Sequence, residues 1–133
     1  MANAIYPLYK QALLDADTNA DLNDGTVMVA LVDTGTYTYS DTDQFLDDMS
    51  GVVGTAQEIT NTTVANGVLD GDDVSFTAVS GATAEALVIY IDTGSSATSR
   101  LVAYIDTGQT GLPVTPNGGD ITITWNASGI FAL

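Results

Sequence analysis

The chain contains neither Cys nor His, which excludes disulfides, thiolate metal sites and every imidazole-based triad, so any enzymatic reading rests on carboxylates and hydroxyls. Its 133 residues suffice for one domain with a core of its own. Seventeen acids against two bases, Lys10 and Arg100, set a formal charge of −15, which repels phosphates and anionic lipid and disfavours binding to nucleic acid or membrane.

In chain order, Ile5, Leu8, Tyr9, Ala12 and Leu13 recur at helical spacing and Pro7 suits a first turn. A short amphipathic helix over residues 6–15 is predicted. The polar loop DADTNADLNDG at 15–25 follows and ends in a turn signal. Its Asp15, Asp17, Asn19, Asp21 and Asn23 alternate like the oxygen ligands of an EF-hand calcium loop. Ala20, however, stands where the sharp turn needs Gly, and Thr26 where a bidentate Glu would close the site. A solvated acidic loop is expected there, with no metal and no cofactor. Thirteen of the 17 acids lie in residues 1–73, and Asp70, Asp72 and Asp73 form a second acidic cluster. With 45% apolar content these acids read as the solvated face of a folded domain.

From Thr26 onward β signals dominate. Thr occurs 19 times, and Val, Ile and Tyr are common. Strands are predicted at 26–32, 58–66, 74–78, 84–91, 100–106, 120–125 and 130–133, with Gly, Asp, Ser and Asn in the gaps. The segment 41–51, with Phe45, Leu46 and Met49 on one side, reads as a short helix or a wrapped loop. In ITITWN, Ile121, Ile123 and Trp125 point to one face and Thr122 and Thr124 to the other, as in a sheet half-covered by core. The predicted fold is all-β, an antiparallel β-sandwich or jelly-roll-like domain with a short N-terminal helix. It forms a single domain over residues 1–133, with helix and acidic loop in 1–25 and the sandwich in 26–133.

One phrase recurs: LVIYIDTG at 87–94, LVAYIDTG at 101–108 and, more loosely, MVALVDTG at 28–35. The continuous apolar run of the first copy predicts a central strand buried on both faces. The short SSATSR link predicts that the first two copies are antiparallel neighbours, with Tyr90 and Tyr104 as a cross-strand pair. Asp-Thr-Gly after an apolar strand is also the signature of aspartic proteases, in which two such Asp residues share a proton. Asp92 and Asp106 are too close in sequence to come from two lobes, and their Asp-Thr-Gly ends should fall at opposite ends of the pair. Turn chemistry explains the phrase better, with Asp accepting turn N–H groups and Gly supplying positive φ.

No apolar run reaches the 18 or so residues of a membrane span, and MANAIYPLYK lacks the layout of a signal peptide. Synthesis in a cytoplasm without export is expected.

Taken in order, MANAIYPLYKQALL, TVMVALVDTGTYTYSDTDQFLDDM, NGVLDGDDVSFTAVSG, LVIYIDTGSSATSRLVAYIDTG and GLPVTPNGGDITITWNASGIFAL resemble a family of small virion structural proteins of tailed bacteriophages, over nearly the whole chain. The resemblance implies a non-enzymatic capsid decoration or cement protein, made in the host cytoplasm and resident in the virion. It would bind the major capsid protein at capsomer junctions, self-associated as a trimer. A tail or neck component is the alternative within the same virion. An aspartic-protease-type enzyme and a calcium-dependent adhesion module are the competing readings outside it. No catalytic residue is carried over. The candidate contact residues are the apolar ends of the chain: Ile5, Tyr6 and Tyr9, with Ile130, Phe131 and Leu133. On that reading, removal of residues 1–9 should leave the β domain folded.

Overall fold

A computed structural model describes residues 3–133. Ten strands pair exclusively antiparallel: β1 (Ala4–Ile5), β2 (Thr26–Val32), β3 (Val52–Glu58), β4 (Thr63–Ala65), β5 (Val68–Asp70), β6 (Val74–Phe76), β7 (Ala86–Asp92), β8 (Arg100–Ile105), β9 (Ile121–Ile123) and β10 (Phe131–Ala132). One α-helix, α1 (Pro7–Leu14), completes an all-β, sandwich-like domain. The main sheet runs β1-β8-β7-β2-β3; a three-stranded sheet, β10-β5-β4, and a two-stranded ribbon, β6-β9, pack with it around one apolar core.

The repeated phrases occupy the middle of the main sheet. All six residues of β8 are buried, as are the first six of β7, so both strands are covered on both faces, as their unbroken apolar runs require. They are antiparallel neighbours. Tyr90 and Tyr104 nevertheless do not pair: Tyr104 faces Val88 and Tyr90 faces Leu101, across a bulge that leaves Val102 as the extra residue of β8. A second irregularity lies between β2 and β3, where Val29 pairs with Gln57 but Leu31 with Val53. Gly54, at φ +72°, takes up the extra length there.

The predicted strand 58–66 does not form as one element: β3 ends where it should begin, and after a bend only the three residues of β4 are extended and paired. β3 ends at Glu58, and Asn61 takes a left-handed φ of 53°. The Asp72 carboxylate holds the bend by accepting from Thr60 Oγ1 at 3.1 Å and Asn61 Nδ2 at 2.6 Å. The segment 41–51 wraps the sheet as predicted, with one turn of 3₁₀-helix at Leu46–Asp48. Phe76 and Ile123 carry the β6-β9 ribbon into the core, and Trp125 follows, its indole N–H donating to the Asp72 carbonyl at 2.9 Å.

Helix α1 starts at Pro7, whose missing N–H costs nothing in a first turn, and buries Tyr9 and Ala12. It ends in a Schellman arrangement: Ala16 N–H bonds to Leu13 O at 3.2 Å and Asp17 N–H to Ala12 O at 2.9 Å. Ala16 occupies the left-handed position, φ 53°, where Gly is usual.

Candidate interaction surface

The proposed contact residues separate into two groups. Tyr6 and Tyr9 are 0% and 2% exposed, so they belong to the core and cannot form a contact surface. Helical spacing identified a face correctly, but that face meets β8 of its own chain. Tyr6 N–H extends the β1 ladder to Val102 O at 3.0 Å, and Tyr9 Oη donates to Ala20 O at 2.9 Å. Ile5, Ile130 and Phe131 are partly buried against the core, and Leu133 is exposed.

Tyr6 heads a buried polar chain. Tyr37 Oη donates to Asp43 Oδ2 at 2.6 Å and therefore accepts from Tyr6 Oη, 2.8 Å away. The Tyr6 ring leans on Tyr39 at 5.0 Å between centroids, and Tyr39 meets Tyr104 edge-on at 5.5 Å. Burial, then the bonds to Asp43 and Tyr6, hold the Tyr37 phenol far above its ordinary value. Burial does the same for Tyr6. Burial and the nearby Asp21 charge push Tyr9 up to about 12; burial and a bond to Asp41 push Tyr39 to about 12. All four phenols therefore keep their protons near neutrality.

Arg100 is 8% exposed, an unusual place for a cation in a chain with two. Nε donates to Thr18 O at 2.9 Å, the guanidinium stands 5.3 Å from the Phe45 ring centroid, and Asp17 lies 3.9 Å away. Main-chain bonds from Leu101 N to Gln44 O and from Leu46 N to Ser99 O hold the 44–46 segment in place beside it. The acidic loop and the wrapping segment are thus fastened to the head of β8. Asp48 steadies the wrap by accepting from Gln44 N and Phe45 N, and those two bonds hold its carboxyl below the usual range.

The Asp-Thr-Gly ends are turns. Asp92 Oδ1 accepts from Gly94 N at 3.0 Å, with Gly94 at φ +86°; Gly108 adopts φ +90°. In the looser copy, Asp33 Oδ1 accepts from Gly35 N at 2.9 Å and Oδ2 from Thr36 Oγ1 at 3.0 Å, without positive φ at Gly35. Asp92 closes β7 beside Arg100, whereas Asp106 follows β8 at its other end, beside Ala86. Six residues of strand separate them by about 20 Å. They share no proton.

The acidic loop behaves similarly. Asp21 Oδ1 accepts from Asn23 N and Asp24 N, an Asx turn, and among the described residues no group of three acids is placed to hold a metal ion.

Beyond the acidic surface lies one apolar strip. A groove of about 400 Å³ carries Tyr9, Asp17, Asp21 and Val64 along one flank, and a second groove carries Ile5, Lys10 and Leu14. Leu13 and Leu133 line both. Leu14 is 87% and Leu133 61% exposed, and Val64 is exposed on β4. Sequence pattern named Leu133 as a contact and Leu13 as part of the helix's apolar stripe, but passed over Leu14 and Val64. Leu14 stands on the side of α1 opposite the buried Tyr9 and Ala12, about 140° and 200° round the helix from them, so its place in the helical period gave no signal. No helix among the described residues is long and apolar enough to cross a membrane. A scan of protein-family models finds no match to this chain, and a search of curated proteins finds none either.

Proposed function

We propose that this chain is a non-enzymatic structural protein of a tailed-phage virion, a decoration or cement protein that binds the major capsid protein at capsomer junctions and stabilises the head. The observation that carries the reading is the apolar strip around Leu13, Leu14 and Leu133, which gathers three of the exposed large apolar side chains among the described residues on a surface otherwise supplied with carboxylates. Exposed leucines gathered at one place mark a contact, and a like-charged remainder limits sticking to other particles and to released DNA. The engaged carboxylates support the same reading. Asp33, Asp72 and Asp92 are committed to turn and bend hydrogen bonds, which is what a rigid module needs and what proton-transfer chemistry does not.

Quantifying the polypeptide in purified particles tests the proposal. Hundreds of copies per head, lost together with resistance of the shell to heat, are expected. A handful of copies located at the tail or neck would move the assignment there, and absence from particles would end it.

A further inference from the structure

We propose that the strip joining α1 to Leu133 is a two-fold contact between two copies of this chain, with Lys10 of one copy facing Asp17 and Asp21 of the other. The strip is bipolar. Lys10 marks the groove at one end, the exposed Asp17 and Asp21 mark the groove at the other, and Leu13 and Leu133 lie in both. A two-fold axis near Leu13 and Leu14 exchanges those ends. Exchange of the two grooves about that axis sets Lys10 of each copy toward Asp17 and Asp21 of the other while the leucines meet in the centre. This is the self-complementarity that an isologous interface requires.

Charge points to the same occupant. Arg100 is buried, which leaves Lys10 as the one exposed basic side chain on a surface with 17 acids, and it stands beside the largest exposed leucine. A second copy supplies both the apolar surface that covers Leu14 and the carboxylates that neutralise Lys10. The opposing effect is repulsion between two chains of −15 each. Salt at physiological strength confines that repulsion to about 8 Å, whereas the central contacts are at van der Waals range. The two-fold pair is an alternative to the trimer that the family resemblance implies. It concerns the free chain and takes the same leucines that the capsid reading uses, so a chain bound to a head exchanges its partner copy for the capsid protein.

Sedimentation of the purified full chain from about 1 to about 100 μM, where modest interfaces dissociate, tests it without any particle present. The expected result is a reversible monomer–dimer equilibrium. Leu14→Glu should be monomeric throughout with unchanged circular dichroism, because so exposed a side chain contributes little to the fold. Lys10→Glu should raise the dimer dissociation constant at least about tenfold. Val52→Glu, which alters an exposed apolar residue on β3 at the far edge of the main sheet from β1, should leave the dimer intact. A wild-type chain that stays monomeric, a trimer, a dimer that survives Leu14→Glu, or equal loss in Val52→Glu would overturn the proposal.

Discussion

Arg100 on β8 donates from Nε to the carbonyl oxygen of Thr18 at 2.9 Å, joining the acidic loop after α1 to the centre of the main sheet. Asp17, half-exposed and 3.9 Å away, is the lesser partner. Arg100→Met should therefore cost about 2 kcal/mol, through a lost charge-assisted hydrogen bond and a lost ring contact with Phe45. Asp17→Asn should cost less than about 1 kcal/mol, as an exposed ion pair does. Urea denaturation of both variants measures the difference, and equal losses would make the ion pair the source.

All six tyrosines hold their protons above the ordinary value, with burial the leading cause in each. A phenol raised by folding contributes stability that is intact below its unfolded value near 10 and is lost as pH rises through the folded value, about 12 for Tyr9 and Tyr39. Alkaline difference absorbance should thus show little phenolate until the protein unfolds, and then a single cooperative rise. Reversible titration of several tyrosines near their ordinary value in the folded chain would contradict this.

At the repeated turn, Asp92→Asn keeps the Oδ1 acceptor for Gly94 N–H and should be nearly neutral. Asp92→Ala should cost about 1 kcal/mol by leaving the turn amide without its partner. Neither variant should alter any peptide cleavage, since Asp92 and Asp106 close opposite ends of the hairpin. Acid-dependent proteolysis abolished by Asp92→Asn would count against the turn reading.

Deletion of residues 1–9 should abolish cooperative folding. It removes two fully buried tyrosines and the β1 ladder, a loss of roughly 6–10 kcal/mol on the scale of buried aromatic truncations, comparable with the whole stability of a domain. The expectation of an intact β domain gives way for that reason. A truncated chain with native near-ultraviolet dichroism would restore it.

Ala16 sits in the left-handed position of the helix C-terminus at φ 53°. Ala16→Gly should stabilise the chain by about 1 kcal/mol, measured as a higher urea midpoint.

What the sequence made legible was the part decided locally. β2 begins and ends where its pattern does, and β7 and β8 follow from unbroken apolar runs with turn residues between them. The bend between β3 and β4 was hidden because its cause is distant: Asp72 reaches back to Thr60 and Asn61. Tyr90 and Tyr104 miss each other because the hairpin register sets Tyr104 opposite Val88, and the bulged residue Val102 only adds one more residue of offset; no alternation of apolar residues announces either. Period 3.6 identified the Tyr9 face of α1 but could not say what that face would meet, so two core tyrosines read as surface. Arg100 looked like one of two stray cations, since the groups that accept it, Thr18 and Phe45, come from separate loops.

The pairing of Ala4 with Tyr104 also sets an order of events during synthesis. The first strand and helix have no partner until β8 has left the ribosome, about a hundred residues later, roughly 5–20 seconds at ordinary elongation rates. Through that interval Tyr6, Tyr9 and Ala12 face water or a chaperone. The nascent chain is thus at its most aggregation-prone just before its central hairpin emerges, and slowed translation upstream of residue 100 should lower the yield of soluble protein.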